Sequence, residues 1–146
     1  MRIKKETGEF CINENLTITK LSNLEEFKEM PQVKISDFSN GFSSVNFYNL
    51  HFENLSFRLG ISFKNNRFYS MRIFIEEEVL GKLYGISEKG IDQKTYLNDY
   101  LNFRKGVLDN LVSDLIESKK RNFNWGKIRL LVSPWDYIPF IEIKYW

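Results

Sequence analysis

Five apolar residues, Leu55, Phe57, Leu59, Ile61 and Phe63, alternate with Ser56, Arg58, Gly60 and Ser62. Successive side chains of an extended chain point to opposite faces, so this period of two predicts a strand with one buried face. Lys64-Asn65-Asn66-Arg67 follows, and its asparagines tolerate the positive φ that a two-residue hairpin turn requires. Tyr69, Met71, Ile73 and Ile75 then resume the alternation. The pattern predicts a central β-hairpin with both apolar rows on one face.

The same period marks other strands more weakly. Val33 and Ile35 form a short alternation that ends at Asp37-Phe38-Ser39-Asn40-Gly41, a cluster of turn formers. "GFSSVNFYNLHF", residues 41 to 52, is rich in β formers without being one-sided, which predicts two covered faces or a bulge that shifts the register. Near the N-terminus, two short strands flank the turn pair Thr7-Gly8. At the other end Ile128, Leu130 and Val132 alternate, as do Ile141, Ile143 and Tyr145, while Pro134 and Pro139 bracket "SPWDYIP". This predicts a hairpin with a long loop. Pairing Arg129 with Glu142 aligns Leu130 with Ile141 and Ile128 with Ile143. A register two residues further on would set Arg129 against Lys144, and like charges directly opposite repel.

From about residue 92 the period changes. Leu97, Leu101, Leu108, Leu111 and Leu115 recur at helical spacing, with Tyr100, Val107 and Val112 beside them, which predicts an amphipathic helix over about 92–119. Asp92 is placed to cap it, and Lys119, Lys120 and Arg121 suit the negative end of its dipole. Gly106, inside it, costs about 1 kcal/mol relative to alanine and predicts a kink or a close contact. A shorter helix is predicted over 23–30. Ser22 and Glu25 have capping-box spacing, Leu24, Phe27 and Met30 share a face, and Pro31 stops the segment. Between the central hairpin and the long helix, the acidic run Glu76-Glu77-Glu78 and three glycines predict a loop with room for a short strand over 79–84.

These elements define an α+β fold: an antiparallel sheet of five to seven strands, the long helix on one face, and the short N-terminal helix. At 146 residues the chain reads as a single domain, 1–146, able to hold a core without staples. An aromatic share of 16%, with 13 phenylalanines, supports the sheet-rich reading. Basic and acidic side chains nearly balance, 21 against 19, which argues against nucleic-acid and polybasic membrane binding. No stretch is long and apolar enough to span a membrane, and "MRIKKETGEF" lacks the apolar run of a signal peptide. Cys11, the one thiol, cannot close an internal disulfide, which fits a reducing compartment.

Candidate chemistry is sparse. His51 is the one histidine, and no Gly-x-Ser-x-Gly elbow accompanies it. A histidine-based metal site lacks a second histidine, and Cys11 lacks a cysteine partner. No glycine-rich phosphate cradle occurs. The expectation is therefore no catalytic, cofactor or metal site. Two stretches remain as contact candidates: the acidic run Glu76, Glu77 and Glu78, and the loop residues Trp135, Asp136 and Tyr137. Trp and Tyr in a loop are less required by packing and are enriched at binding hot spots. The alternative for Trp135 is that it folds back onto the long helix.

Both chain ends carry a pattern. Gly8, Phe10, Ile12, Leu16 and Thr17 make a Gly-x-Phe-x-Ile-x-x-x-Leu-Thr run. Trp125-Gly126, a strand, the loop with Asp136, and Ile141-x-Ile143-x-Tyr145 close the chain. Together they resemble immunity proteins of bacterial polymorphic-toxin and contact-dependent growth-inhibition systems. The resemblance implies a cytoplasmic, non-enzymatic protein that binds and neutralises a toxin C-terminal domain. Inhibitors of basic nucleases tend to be acidic. For this slightly basic chain, either the toxin is not strongly basic or the acids cluster at Glu76 to Glu78. The other class in view is a small-ligand-binding module with an apolar pocket between sheet and helix.

Overall fold

The computed structural model describes residues 1–76, 93–134 and 138–146, with backbone alone over 93–97. It is an α+β fold, mostly sheet. Ten strands are described: β1 (Arg2–Ile3), β2 (Phe10–Cys11), β3 (Thr17–Ile18), β4 (Val33–Asp37), β5 (Phe42–Phe52), β6 (Leu55–Lys64), β7 (Arg67–Ile75), β8 (Asn122–Phe123), β9 (Gly126–Val132) and β10 (Pro139–Tyr145). The helix α1 runs Gln93–Ile116. All described pairings are antiparallel. β1-β2-β3 form a small sheet, and the main sheet has seven strands in the order β4-β5-β6-β7-β10-β9-β8.

The central hairpin forms as its alternation predicts. Phe57, Leu59, Ile61 and Phe63 are fully buried, and Asn65 and Asn66 take φ of 49° and 66° in the turn. One part of the pattern is corrected. Ser62 pairs with Ser70 but Phe63 pairs with Phe68, so a bulge absorbs Tyr69. Phe68 takes the core side, and Tyr69 turns outward. β5 also carries a register shift, between Phe47 and Leu50, with Asn49 at φ 53°. That bulge explains its two-sided sequence. The C-terminal hairpin adopts the charge-matched register, with Arg129 opposite Glu142, Leu130 opposite Ile141 and Ile128 opposite Ile143. Pro139 is the first residue of β10, where a missing N–H is tolerated.

The short N-terminal helix expected over 23–30 is not an α-helix. It is one 3-10 turn, Leu24–Phe27. Its cap is Asn23 rather than Ser22: Asn23 Oδ1 accepts from Glu25 N at 3.0 Å, and Glu26 Oε1 accepts from Asn23 N at 3.1 Å. The long helix ends at Ile116, short of the expected 119. Glu117 enters the left-handed region, Ser118 N donates to Ser113 O, and Glu117 N donates to Asp114 O. This is a Schellman ending. Gly106 has no neighbour near its Cα that a methyl group would meet, so it marks no close packing. The expected cap Asp92 and the strand over 79–84 lie outside the described residues.

The core occupies one face of the main sheet. Leu108, Leu111, Val112, Leu115 and Ile116 of α1 pack with Ile73, Ile128, Ile141 and Ile143. The small sheet adds Ile3, Phe10 and Ile18, and the 3-10 turn adds Phe27, whose ring sits 6.0 Å from Phe47 and 5.8 Å from Phe63. Side chains fill the layer between helix and sheet. Among the described residues, no helix or second sheet covers the opposite face.

The chain ends lock together. Gly8, at φ 76°, lies under the Trp125 and Tyr145 rings, where no Cβ fits. Trp125 Nε1 donates to Lys5 O at 2.8 Å, and Tyr145 Oη donates to Gly8 O at 2.6 Å. Gly126 packs against the Lys144 carbonyl, again with no room for a side chain.

Candidate functional site

The face opposite α1 is read off the register. One row crosses six strands: Lys34, Asn46, Gly60, Arg72, Glu142 and Arg129. A neighbouring row places Ser36, Ser44, Ser62 and Ser70 side by side on β4 to β7. On the other flank Arg58 pairs with Phe74, and Phe140 with Leu131. Lys127 and Lys144 sit directly opposite each other in the β9–β10 pair. These polar positions are the off-beat of the apolar alternation that built the core.

The cations are held by rings. The Arg58 guanidinium lies 4.5 Å from the Phe74 ring centre and 5.9 Å from that of Tyr48. Arg72 lies 5.3 Å from Phe140, and the Phe74 and Phe140 rings stack at 5.3 Å and 29°. The ammonium groups of Lys144, Lys127 and Lys64 sit over Tyr69, Trp146 and Phe42. Cation–π attraction lowers the cost of crowding like charges, including the opposed pair Lys127 and Lys144. Glu142, 6% exposed, is the one acid of these rows, and Arg129 Nε donates to it at 3.0 Å. The Nε atoms of Arg58 and Arg72 and the Ser70 hydroxyl are buried without a hydrogen-bond partner among the described residues.

At one end of this face lies a cavity of about 290 Å³, lined by Tyr48, Arg58, Phe74, Glu76, Arg104 and Ile138 among others. It brings together the bases of both candidate stretches. Glu76 follows β7, and Ile138 precedes β10, the adjacent strand. Glu76 is half-buried, and its Oε1 accepts from Asn49 N at 3.1 Å, where the β5 bulge leaves a backbone donor off the ladder. A bond from Ser133 N to Ile138 O closes the base of the C-terminal loop. Glu77, Glu78, Trp135, Asp136 and Tyr137 lie outside the described residues.

Other chemistry-bearing residues stand apart. His51 is exposed, and its Nδ1 lies 2.9 Å from Ser56 Oγ across the β5–β6 pair. Among the described residues no carboxylate orients the imidazole, so the pair acts as a cross-strand pin. Cys11 is half-buried on β2. Among the described residues no three His, Cys, Asp or Glu side chains converge as metal ligands, and no helix is long and apolar enough to cross a membrane.

Sequence reasoning passed over the arginine–aromatic face. The signal was present in Arg58 and Arg72, two off-beat cations in otherwise apolar strands, but seeing them as neighbours needs the hairpin register. No family model, curated protein or solved structure matches the chain.

Proposed function

We propose that the protein is a non-enzymatic immunity protein that binds a bacterial toxin C-terminal domain and neutralises it by occupying its surface. The observation that carries this reading is the sheet face opposite α1, where Arg58, Arg72 and Phe74 are half-buried, Phe140 is buried, and the guanidiniums rest on rings. Arg, Tyr and Phe are enriched in protein interfaces, and Arg and Tyr at their hot spots, because each buries large area while keeping a polar handle. Rings that fix a guanidinium in advance reduce the side-chain entropy lost on docking. The end resemblance, Gly8 to Thr17 with Trp125 to Tyr145, points to the same class. The basic face favours a toxin that is not strongly basic over an acidic binding edge at Glu76.

The cognate domain would be encoded beside this gene, at the variable C-terminus of a large secreted protein. Co-expression should restore growth of cells making that domain, and the two chains should co-purify. A standard interface of about 1,600 Å² in total is the expected size. Absence of both rescue and co-purification removes the reading.

A further inference from the structure

We infer that the β6–β7–β10 part of the sheet face opposite α1 is a carboxylate-binding surface, built to dock an acidic protein patch on Arg58 and Arg72. The inference deepens the immunity reading and rests on it for the partner's identity. Three observations carry it. First, among the described residues the buried Nε donors of Arg58 and Arg72 have no acceptor, nor has the Ser70 hydroxyl. A buried donor left unpaired is costly, so each guanidinium gains from a shift that brings its Nε to a docked acceptor. Second, Glu142, opposite Arg72 in the register, is bonded to Arg129 on its far side, and Glu76, which shares the cavity lining with Arg58, accepts from Asn49 N. Arg72 therefore faces a carboxylate that is already engaged. Third, both guanidiniums lie against rings, at 4.5 and 5.3 Å, which restrains them before any partner docks. A planar fork held in place matches a carboxylate bidentately, which an ammonium group cannot do. Gly60, between Asn46 and Arg72 in the row, leaves the floor of this patch without a side chain.

The same geometry argues against a single-stranded nucleic acid. Such proteins stack bases on free aromatic faces. Here Phe74 and Phe140 stack on each other, and the two arginines lie over them.

The test uses fluorescence anisotropy at about 0.15 M salt, where the Debye length is about 8 Å, with two probes, a labelled polyglutamate peptide and an oligo-dT of equal charge. Wild-type protein should bind the peptide, and more tightly than the oligonucleotide. Arg58→Glu/Arg72→Glu should weaken peptide binding by about tenfold or more. Lys5→Glu/Lys20→Glu, with the same change of net charge on exposed residues outside β6, β7 and β10, should leave it within about twofold, as expected for solvent-screened charges that do not touch the probe. Should the reversed pair fail to fold, Arg58→Lys/Arg72→Lys keeps the charge and removes the fork, and should still weaken the peptide. No peptide binding, equal loss in both double variants, or tighter oligonucleotide binding through the same arginines overturns the inference. If the peptide binds through Arg58 and Arg72 but the neighbouring toxin is not neutralised, the immunity reading falls and the surface stands. If the reversed variant neutralises the toxin undiminished, the surface falls and the immunity reading stands.

Discussion

Tyr145 shows how single residues tie this chain together. Burial pushes its phenol up from the ordinary value near 10, and the charge of Glu9 adds to the effect. The hydroxyl therefore stays protonated and donates to Gly8 O. In the unfolded chain it ionises near pH 10. The folded state prefers the proton, so its stability is intact below pH 10 and falls as pH rises above it. Tyr145→Phe should flatten that alkaline fall in a denaturation series and cost about 1 kcal/mol at neutral pH for the lost bond. Phe57, fully buried on the core face, should cost about 3–5 kcal/mol as Phe57→Ala, and a loss under about 1 kcal/mol would place that face in solvent. The residues behind the family resemblance were legible as a pattern, but their part in the fold was not. Gly8, Trp125, Gly126 and Tyr145 meet as one packed clasp. They are legible because packing constrains them, and they report the fold more than the partner.

At the scale of elements, alternation was the dependable signal. The central hairpin, the β9–β10 register and the long helix were all readable from it. The bulge at Tyr69 was not, because one inserted residue reverses the beat without changing composition, whereas the mixed beat of residues 41 to 52 already offered a bulge as one reading. The expected helix over 23–30 failed for a related reason. Leu24, Phe27 and Met30 repeat at three, the period of a 3-10 turn, and a segment this short cannot offset the cost of helix nucleation. The long helix ends on a glutamate where glycine is usual. A side chain in the left-handed region costs about 1 kcal/mol or more, so Glu117→Gly should stabilise the protein by about that amount. Gly106→Ala, on an exposed helical position with free space, should add about 1 kcal/mol. Midpoints of urea unfolding would measure both. Arg121 secures the same helix end, with Nη2 donating to Asp109 Oδ1 and Ser113 Oγ at 2.7 Å. The expected service of the basic run to the helix terminus thus falls on Arg121.

For the whole molecule, net charge concealed the arrangement that counts. A balance of 21 basic against 19 acidic side chains describes the chain, not its faces. The strand order β4-β5-β6-β7-β10-β9-β8 gathers off-beat cations from separate segments onto one side and leaves Glu142 as the acid among them. No local pattern specifies that order, since it depends on β10 inserting between β7 and β9 after a helix intervenes. The central claim is that this face holds the toxin domain through Arg58 and Arg72. Its most direct measurement is calorimetric titration of the neighbouring toxin domain into wild-type protein and into Arg58→Glu/Arg72→Glu, with melting temperatures recorded for both. The account predicts binding weaker by about a hundredfold at a closely similar melting temperature, as expected when charge pairs in a desolvated interface are reversed. Undiminished affinity in a folded variant would contradict it.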